Sequence, residues 1–247
     1  MPAMHLLRRR SLPALFLAML PFVPHTGAAA ATGSPATSSQ PAVVLVFGDS
    51  ITQGQSLATS NPGAMWLNRI NASPAAAGKL RLVNEGKGGR PTDSLGEFDT
   101  VLARHRHIDA LVIALGANDA RDTSGNCVPN AVANLTRMVE RARAVYGDAL
   151  PVLIVAPTNI NKFALGPSKP IANEREANIN ALETAYRKLA GKLDASFASL
   201  NNLIAPESLT ADGVHPDAAG HAAIAQKLLP AALALVSRSL PDRGPTL

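Results

Sequence analysis

Ala42-Val-Val-Leu-Val-Phe-Gly-Asp-Ser-Ile-Thr52 decides how the rest of the chain is read. A run of strand-forming apolar residues goes straight into a glycine, an acid and a serine. That pattern predicts a strand buried on both faces, as in a parallel sheet, ending at Gly48. In open α/β sheets the working groups collect beyond the carboxyl ends of the strands, on loops held by a rigid scaffold. Ser50 therefore sits where a reactive hydroxyl belongs. Taken alone, Gly-Asp-Ser after a strand is more often a turn in which Asp49 or Ser50 bonds nearby backbone, so the rest of the chain must supply the reason to read it as chemistry.

Outward from that strand, apolar runs of strand length recur at Leu80–Asn84, Asp109–Leu115, Pro151–Ala156 and Ala195–Leu200. Between and after them lie Ala64–Ile70, Ser94–His105, Val128–Tyr146, Ala172–Leu193 and Ala218–Val236. These are rich in Ala, Leu, Arg and Glu, with apolar residues at helical spacing. Strand–helix alternation of this kind predicts a three-layer α/β/α sandwich around a central five-stranded parallel sheet, in one domain over residues 42–240. Pro157 to Ile171 is the long irregular stretch; it reads equally as a substrate-binding rim or as a solvated connector.

The amino-terminal segment reads differently. Arg8-Arg9-Arg10 precede an apolar run from Leu12 to Val23 and the small residues Ala28 to Ala31. This predicts a secretory signal over residues 1–31, since the run is shorter than the about 20 apolar residues a membrane span needs. The protein is then expected to be exported, periplasmic or secreted, with no stable membrane insertion after the signal is removed. Residues 32–41 form a polar spacer expected to be disordered, and 241–247 a tail. Without the three leader arginines the chain carries 20 basic and 18 acidic residues, so its basicity largely disappears. That balance, with no Lys/Arg cluster interleaved with aromatics, argues against a nucleic-acid partner. Cys127, the only cysteine, cannot form an internal disulfide and reads as a loop thiol.

Four segments fall where the strand carboxyl ends are expected: Ser50, Asn84-Glu-Gly-Lys-Gly-Gly-Arg-Pro-Thr92, Gly116-Ala-Asn-Asp119 and Asp212-Gly-Val-His-Pro216. Acyl transfer needs a hydroxyl that loses its proton to a base, an acid that orients the base, and fixed donors for the developing oxyanion. His215 can be the base and Asp212 its orienting acid, with Pro216 in the first turn of the following helix. The N–H groups of Ser50 and Gly89 and the side-chain amide of Asn118 can be the oxyanion donors. Asp119 is read as bracing its own loop, Asn84 as orienting the glycine loop, Arg90 as structural and His221 as structural within the last helix. Trp66 and Met65 read as core. No Walker-type or dinucleotide glycine pattern and no metal-binding pair is present, and His105 and His107 cannot share one helical face. No cofactor or metal is called for.

These four blocks, Gly48-Asp-Ser-Ile51, Asn84 through Gly89, Gly116-Ala-Asn-Asp119 and Asp212-Gly-Val-His215, together resemble the GDSL, or SGNH, hydrolase family over nearly the whole chain after the leader. The resemblance implies a flavodoxin-like sandwich, a Ser-His-Asp esterase without cofactor, and an exposed nucleophile lacking the G-x-S-x-G elbow. Gly-Gly-Arg-Pro-Thr stands here where many members have Ser-Gly-Asp-Thr, and Ile51 replaces the Leu of the family's name. Members act on acetylated sugars, aryl and short-chain esters, thioesters and lysophospholipids, so a small-molecule, lipid or carbohydrate ester is the expected substrate. An acyltransferase or carbohydrate O-acetylesterase, and a surface binding protein without catalysis, are the competing readings. The sequence leaves the oligomeric state open.

Overall fold

The computed structural model describes residues 40–239. The expected leader (1–31), all but the end of the spacer, and the 241–247 tail lie outside the described residues. Eleven elements organise the rest: β1 (Ala42–Gly48), α1 (Ser50–Gln53), α2 (Trp66–Asn71), β2 (Leu80–Gly86), α3 (Leu95–Arg104), β3 (Ala110–Ala114), α4 (Cys127–Tyr146), β4 (Val152–Ala156), α5 (Ala172–Lys192), β5 (Ser196–Ser199) and α6 (Ala218–Ser239). The five strands form one parallel sheet in the order β2-β1-β3-β4-β5.

The alternation of side chains along each strand divides the core into two layers. Leu45 and Phe47 of β1, Leu111 and Ile113 of β3 and Ile154 of β4 pack against α3, α4 and α5. Val44, Val46, Val112, Leu153 and Val155 face the other way, against α2 and α6. Both faces are covered, which explains the nearly unbroken apolar runs of β1, β3 and β4. Edge strand β2 instead alternates, with Leu80 and Leu82 buried and Arg81 exposed. The helices present apolar stripes at matching spacing. Ala131, Leu135, Met138, Val139 and Ala142 line one side of α4, and Ile224, Leu228, Ala232 and Leu235 one side of α6. The apolar character of α6, which by length and composition alone would suffice to cross a membrane, goes in part into this packing.

Strand order sets the place of the site. The chain leaves β1 for β2 on one side and returns to β3 on the other, so the sheet's winding reverses beside β1, the place where open α/β sheets leave a crevice. Register aligns Gly48 with Gly86 of β2 and with Ala114 of β3. The loops carrying Ser50, Gly89 and Asn118 therefore leave the sheet at one level along a single edge.

Candidate active site

Ser50 is the first residue of α1. The Asp49 carboxylate accepts the Ile51 N–H at 3.0 Å and so caps this short helix, while Gly54 ends it in a left-handed conformation. Asp49 is buried, and burial pushes its pKa up to about 6 against the lowering effect of the Ile51 N–H and of His215. Ser50 itself is only 7% exposed. It lines a pocket of about 300 Å³ together with residues of the loops after β2 and β3 and before α6.

A tightly pinned loop brings the distant histidine to it. Leu209 and Pro216 form an antiparallel bridge. On either side of that bridge Thr210 N–H donates to the His215 carbonyl at 2.8 Å and Asp217 N–H to the Ser208 carbonyl at 2.9 Å. Pro216 is therefore not in the first turn of α6 as expected. The bridge draws no donor from position 216, so its missing N–H is no loss, and the Asp217 carboxylate caps the helix by accepting Ala219 and Gly220 N–H. Ser56 Oγ also holds the Pro216 carbonyl at 2.6 Å. Gly213 has a φ of +69°, and a Cβ there would lie 2.5 Å from the Asn161 carbonyl oxygen. Only glycine fits, and Asn161 N–H closes the contact by donating to the Gly213 carbonyl at 2.8 Å.

Within that loop, Asp212 Oδ1 accepts from Thr210 Oγ at 2.9 Å, Val214 N–H at 2.8 Å and His215 N–H at 3.0 Å. Its Oδ2 lies 2.6 Å from His215 Nδ1, and His215 Nε2 lies 2.8 Å from Ser50 Oγ. Burial would raise the Asp212 pKa. The hydrogen bonds from the His215 ring and from the surrounding N–H and hydroxyl groups outweigh it and hold the carboxyl well below the usual range. An ionised Asp212 fixes the proton on Nδ1 and leaves Nε2 to accept the Ser50 proton.

The other two blocks are stitched to each other. Asn118 Nδ2 donates to the Arg90 carbonyl at 3.1 Å. Asp119 accepts Thr92 N–H at 3.0 Å and the Thr92 hydroxyl. Asp119 thus braces the neighbouring glycine loop as well as holding its own backbone, and burial, opposed by these hydrogen bonds, raises its pKa. Asn84 Oδ1 holds Gly86 N–H at 2.9 Å. Arg90 is buried, with its guanidinium 4.0 Å above the Phe47 ring, and donates to the Gly48 carbonyl at 2.7 Å, to the Glu85 carbonyl and to Glu97. This arginine clamps β1, β2 and α3 together. Gly89, at φ +73°, and Asn118 line the same pocket as Ser50, Asp212 and His215.

The remaining candidates fall elsewhere. His221 is buried, its Nδ1 accepting Trp66 N–H at 3.3 Å, and burial lowers its pKa to about 4. Trp66 and Met65 are buried. His105 pairs with Glu85 and His107 with Asp109. Among the described residues no group of three or more His, Cys, Asp or Glu could hold a metal ion. Cys127 is not a loop thiol but the buried first residue of α4, and burial pushes its pKa up to about 11. Leu165, from the irregular 157–171 stretch, lines the pocket, as do Arg121 and Arg175, which the sequence had not singled out.

A model of the GDSL-like lipase/acylhydrolase family matches residues 46–223. No curated protein matches the chain. Among solved structures, a carbohydrate acetylesterase family member from Sinorhizobium meliloti is 26% identical, with 79% of this chain and 99% of that one covered and a TM-score of 0.67. The aryl esterase of M. smegmatis is 23% identical, with 78% and 99% covered and a TM-score of 0.63. An acetylxylan esterase from Geobacillus stearothermophilus, 18% identical with 77% and 94% covered and a TM-score of 0.58, shares the fold.

Proposed function

The chain belongs to the GDSL-like lipase/acylhydrolase family and is an esterase, and on that premise we propose that it is an exported serine hydrolase of short- to medium-chain acyl esters working through an acyl-Ser50 intermediate. The observation that carries this reading is the unbroken line from Asp212 Oδ2 through the His215 ring to Ser50 Oγ, with contacts of 2.6 and 2.8 Å.

In the proposed reaction Ser50 Oγ attacks the ester carbonyl carbon as its proton passes to His215 Nε2. The carbonyl π bond moves onto oxygen, and the tetrahedral oxyanion is met by the N–H groups of Ser50 and Gly89 and the Asn118 amide. Collapse re-forms the carbonyl and breaks the bond to the alcohol, which takes the proton from His215. Water then repeats the sequence against the acyl-enzyme and releases the acid. Asp212 stays ionised throughout and stabilises the imidazolium. Tying Asn118 to Arg90 and Asp119 to Thr92 fixes the donors before substrate arrives, which is what makes such donors effective.

A carbohydrate acetate is the favoured natural substrate class, since the 26% identical neighbour is a carbohydrate acetylesterase family member and the pocket mixes polar with apolar walls. Release of p-nitrophenol from the acetate and butyrate esters tests the proposal: hydrolysis by the wild type that is lost in Ser50→Ala is expected, and undiminished hydrolysis by Ser50→Ala would sink it.

A further inference from the structure

Two guanidiniums stand on the wall of the pocket that holds Ser50 and His215, and the proposed reaction uses neither. Arg175, near the start of α5, is only 4% exposed. Among the described residues its one hydrogen bond is a long one, from Nη2 to the Ala117 carbonyl at 3.3 Å, and its buried Nε has no partner. Arg121, on the turn that follows Asn118, is exposed and makes no side-chain hydrogen bond or ion pair among the described residues. A buried cation is normally paired with a carboxylate, because desolvation without compensation costs several kcal/mol. Among the described residues Arg175 has no such pair. The acids whose charges reach it are Asp212 and Asp49; the first is saturated by its own loop and by His215, and the second is committed to capping α1.

Arg121 and Arg175 line the same pocket, and the positive charge of Arg121 acts with burial to lower the Arg175 pKa. A fold that gathers two cations beside a nucleophile and leaves most of their donors unused is built for an anion that arrives with the substrate. The guanidinium's planar set of donors matches a carboxylate in particular. Counting the pocket wall alone, two guanidiniums face the single carboxylate of Asp212, an excess of one positive charge that suits a monoanion.

We infer that Arg175 and Arg121 form an anion subsite, and that the preferred substrates carry a carboxylate close to the ester being cleaved. This rests on the serine-esterase reading of the same pocket and narrows it. Leu165 and Ile51, also on that wall, leave room for a short apolar spacer between the ester and the charge.

The test uses two pairs of esters matched in shape and differing in charge. Methyl hydrogen succinate against methyl succinamate places the charge on the acyl side, and 4-acetoxybenzoate against 4-acetoxybenzamide places it on the alcohol side. One pair is expected to show about a tenfold kcat/KM preference for the anion, the size of a single charge-assisted contact. That ratio should fall toward one in Arg121→Gln, a surface change that the fold tolerates, and in Arg175→Lys it should fall less than in Arg175→Gln. The neutral ester of each pair reports the Ser50 chemistry by itself, so failure to hydrolyse it in the wild type indicts the esterase reading and not the subsite. Calorimetric titration with succinamate, a monoanion, and with the neutral diamide succinamide reads the subsite without turnover; saturable binding of succinamate alone, weakened by Arg121→Gln, is expected. Ratios within about twofold of one for both pairs, a preference that survives Arg121→Gln, or no difference between succinamate and succinamide binding would each overturn the inference.

Discussion

Gly213→Ala isolates the contribution of loop geometry to catalysis, because the substitution changes no reacting group. At φ +69° an L-residue carries a strain of about 1–2 kcal/mol. The added methyl would lie 2.5 Å from the Asn161 carbonyl oxygen and about as close as 3.1 Å to the Ala164 Cβ. Both belong to backbone or to a side chain with no rotamer to change. The loop must therefore move, and in moving it gives up the 2.8 Å hydrogen bond from Asn161 N–H to the Gly213 carbonyl, a contact of about 1 kcal/mol. Together these set an upper limit of about 3 kcal/mol on the loss of stability, or roughly 6–12 °C in Tm for a domain of this size. The larger effect falls on activity. Asp212 and His215 flank Gly213, and a displacement of about 1 Å in a positioned catalytic group lowers the rate by about 10²-fold. Steady-state hydrolysis of p-nitrophenyl butyrate alongside thermal unfolding measures both quantities. Gly125→Ala is the control: its φ is +86° but a Cβ there meets nothing within 4 Å, so it should lose about 1–2 kcal/mol of stability and no activity. A Gly213→Ala protein with kcat/KM within threefold of the wild type would show that the shape of this loop does not set the rate.

Asp212→Asn should lower kcat/KM by about 10³–10⁴, since the amide neither fixes the Nδ1 proton nor balances the imidazolium, and a loss below tenfold in the same ester assay would exclude that role. Asn118→Ala should lower kcat by about 10²–10³ with KM within about threefold, as expected for a donor engaged chiefly in the transition state; a change confined to KM would point to ground-state binding instead. The pH dependence of stability contains two opposed contributions. Folded His221 takes up its proton near pH 4 against 6.5 when exposed, so its contribution is lost as pH falls from 6.5 to 4. Folded Asp49 releases its proton near pH 6 against 3.8, so its contribution is lost as pH rises from 3.8 to 6. Each amounts to about 3 kcal/mol and they nearly cancel over their shared window. Asp49→Asn removes one of them, and its urea midpoint should then drop steeply between pH 6.5 and 4; a midpoint as flat as that of the wild type would contradict the assignment.

Much of this architecture is legible in the sequence because parallel strands covered on both faces must be apolar throughout. β1, β3 and β4 stand out for that reason, and the sandwich with its five-stranded sheet follows. β5 is harder to read: as the short edge strand Ser196-Phe-Ala-Ser199 it buries mainly Ala198. The strand order, and with it the alignment of Gly48, Gly86 and Ala114, is a property of the assembled sheet and leaves no local trace. The candidate site divides the same way. Ser50, Gly89, Asn118, Asp212 and His215 are visible as short blocks whose residue types match one kind of chemistry, and the structure brings them to one pocket. The second partner of Asp119, Thr92, is 27 residues away and leaves no local mark. The pairing depends on two strand ends being neighbours. Arg175 is hidden for a related reason. Glu174-Arg-Glu176 looks like a solvated helical face, and only the docking of α5 beside the loop after β3 turns the middle residue inward. Cys127 reads as a loop residue because Ser124-Gly-Asn126 before it and Pro129 after it look like a connector, although its side chain is covered.

The claim on which the account turns is that Ser50 is the nucleophile, poised by His215. Intact-mass and peptide-mapping analysis after treatment with a fluorophosphonate measures it most directly. One adduct per chain on Ser50 is predicted, formed in step with loss of ester hydrolysis, absent from Ser50→Ala and greatly slowed in His215→Ala. An unlabelled Ser50 in a protein that still hydrolyses esters, or an adduct on another residue that accounts for the lost activity, would contradict it.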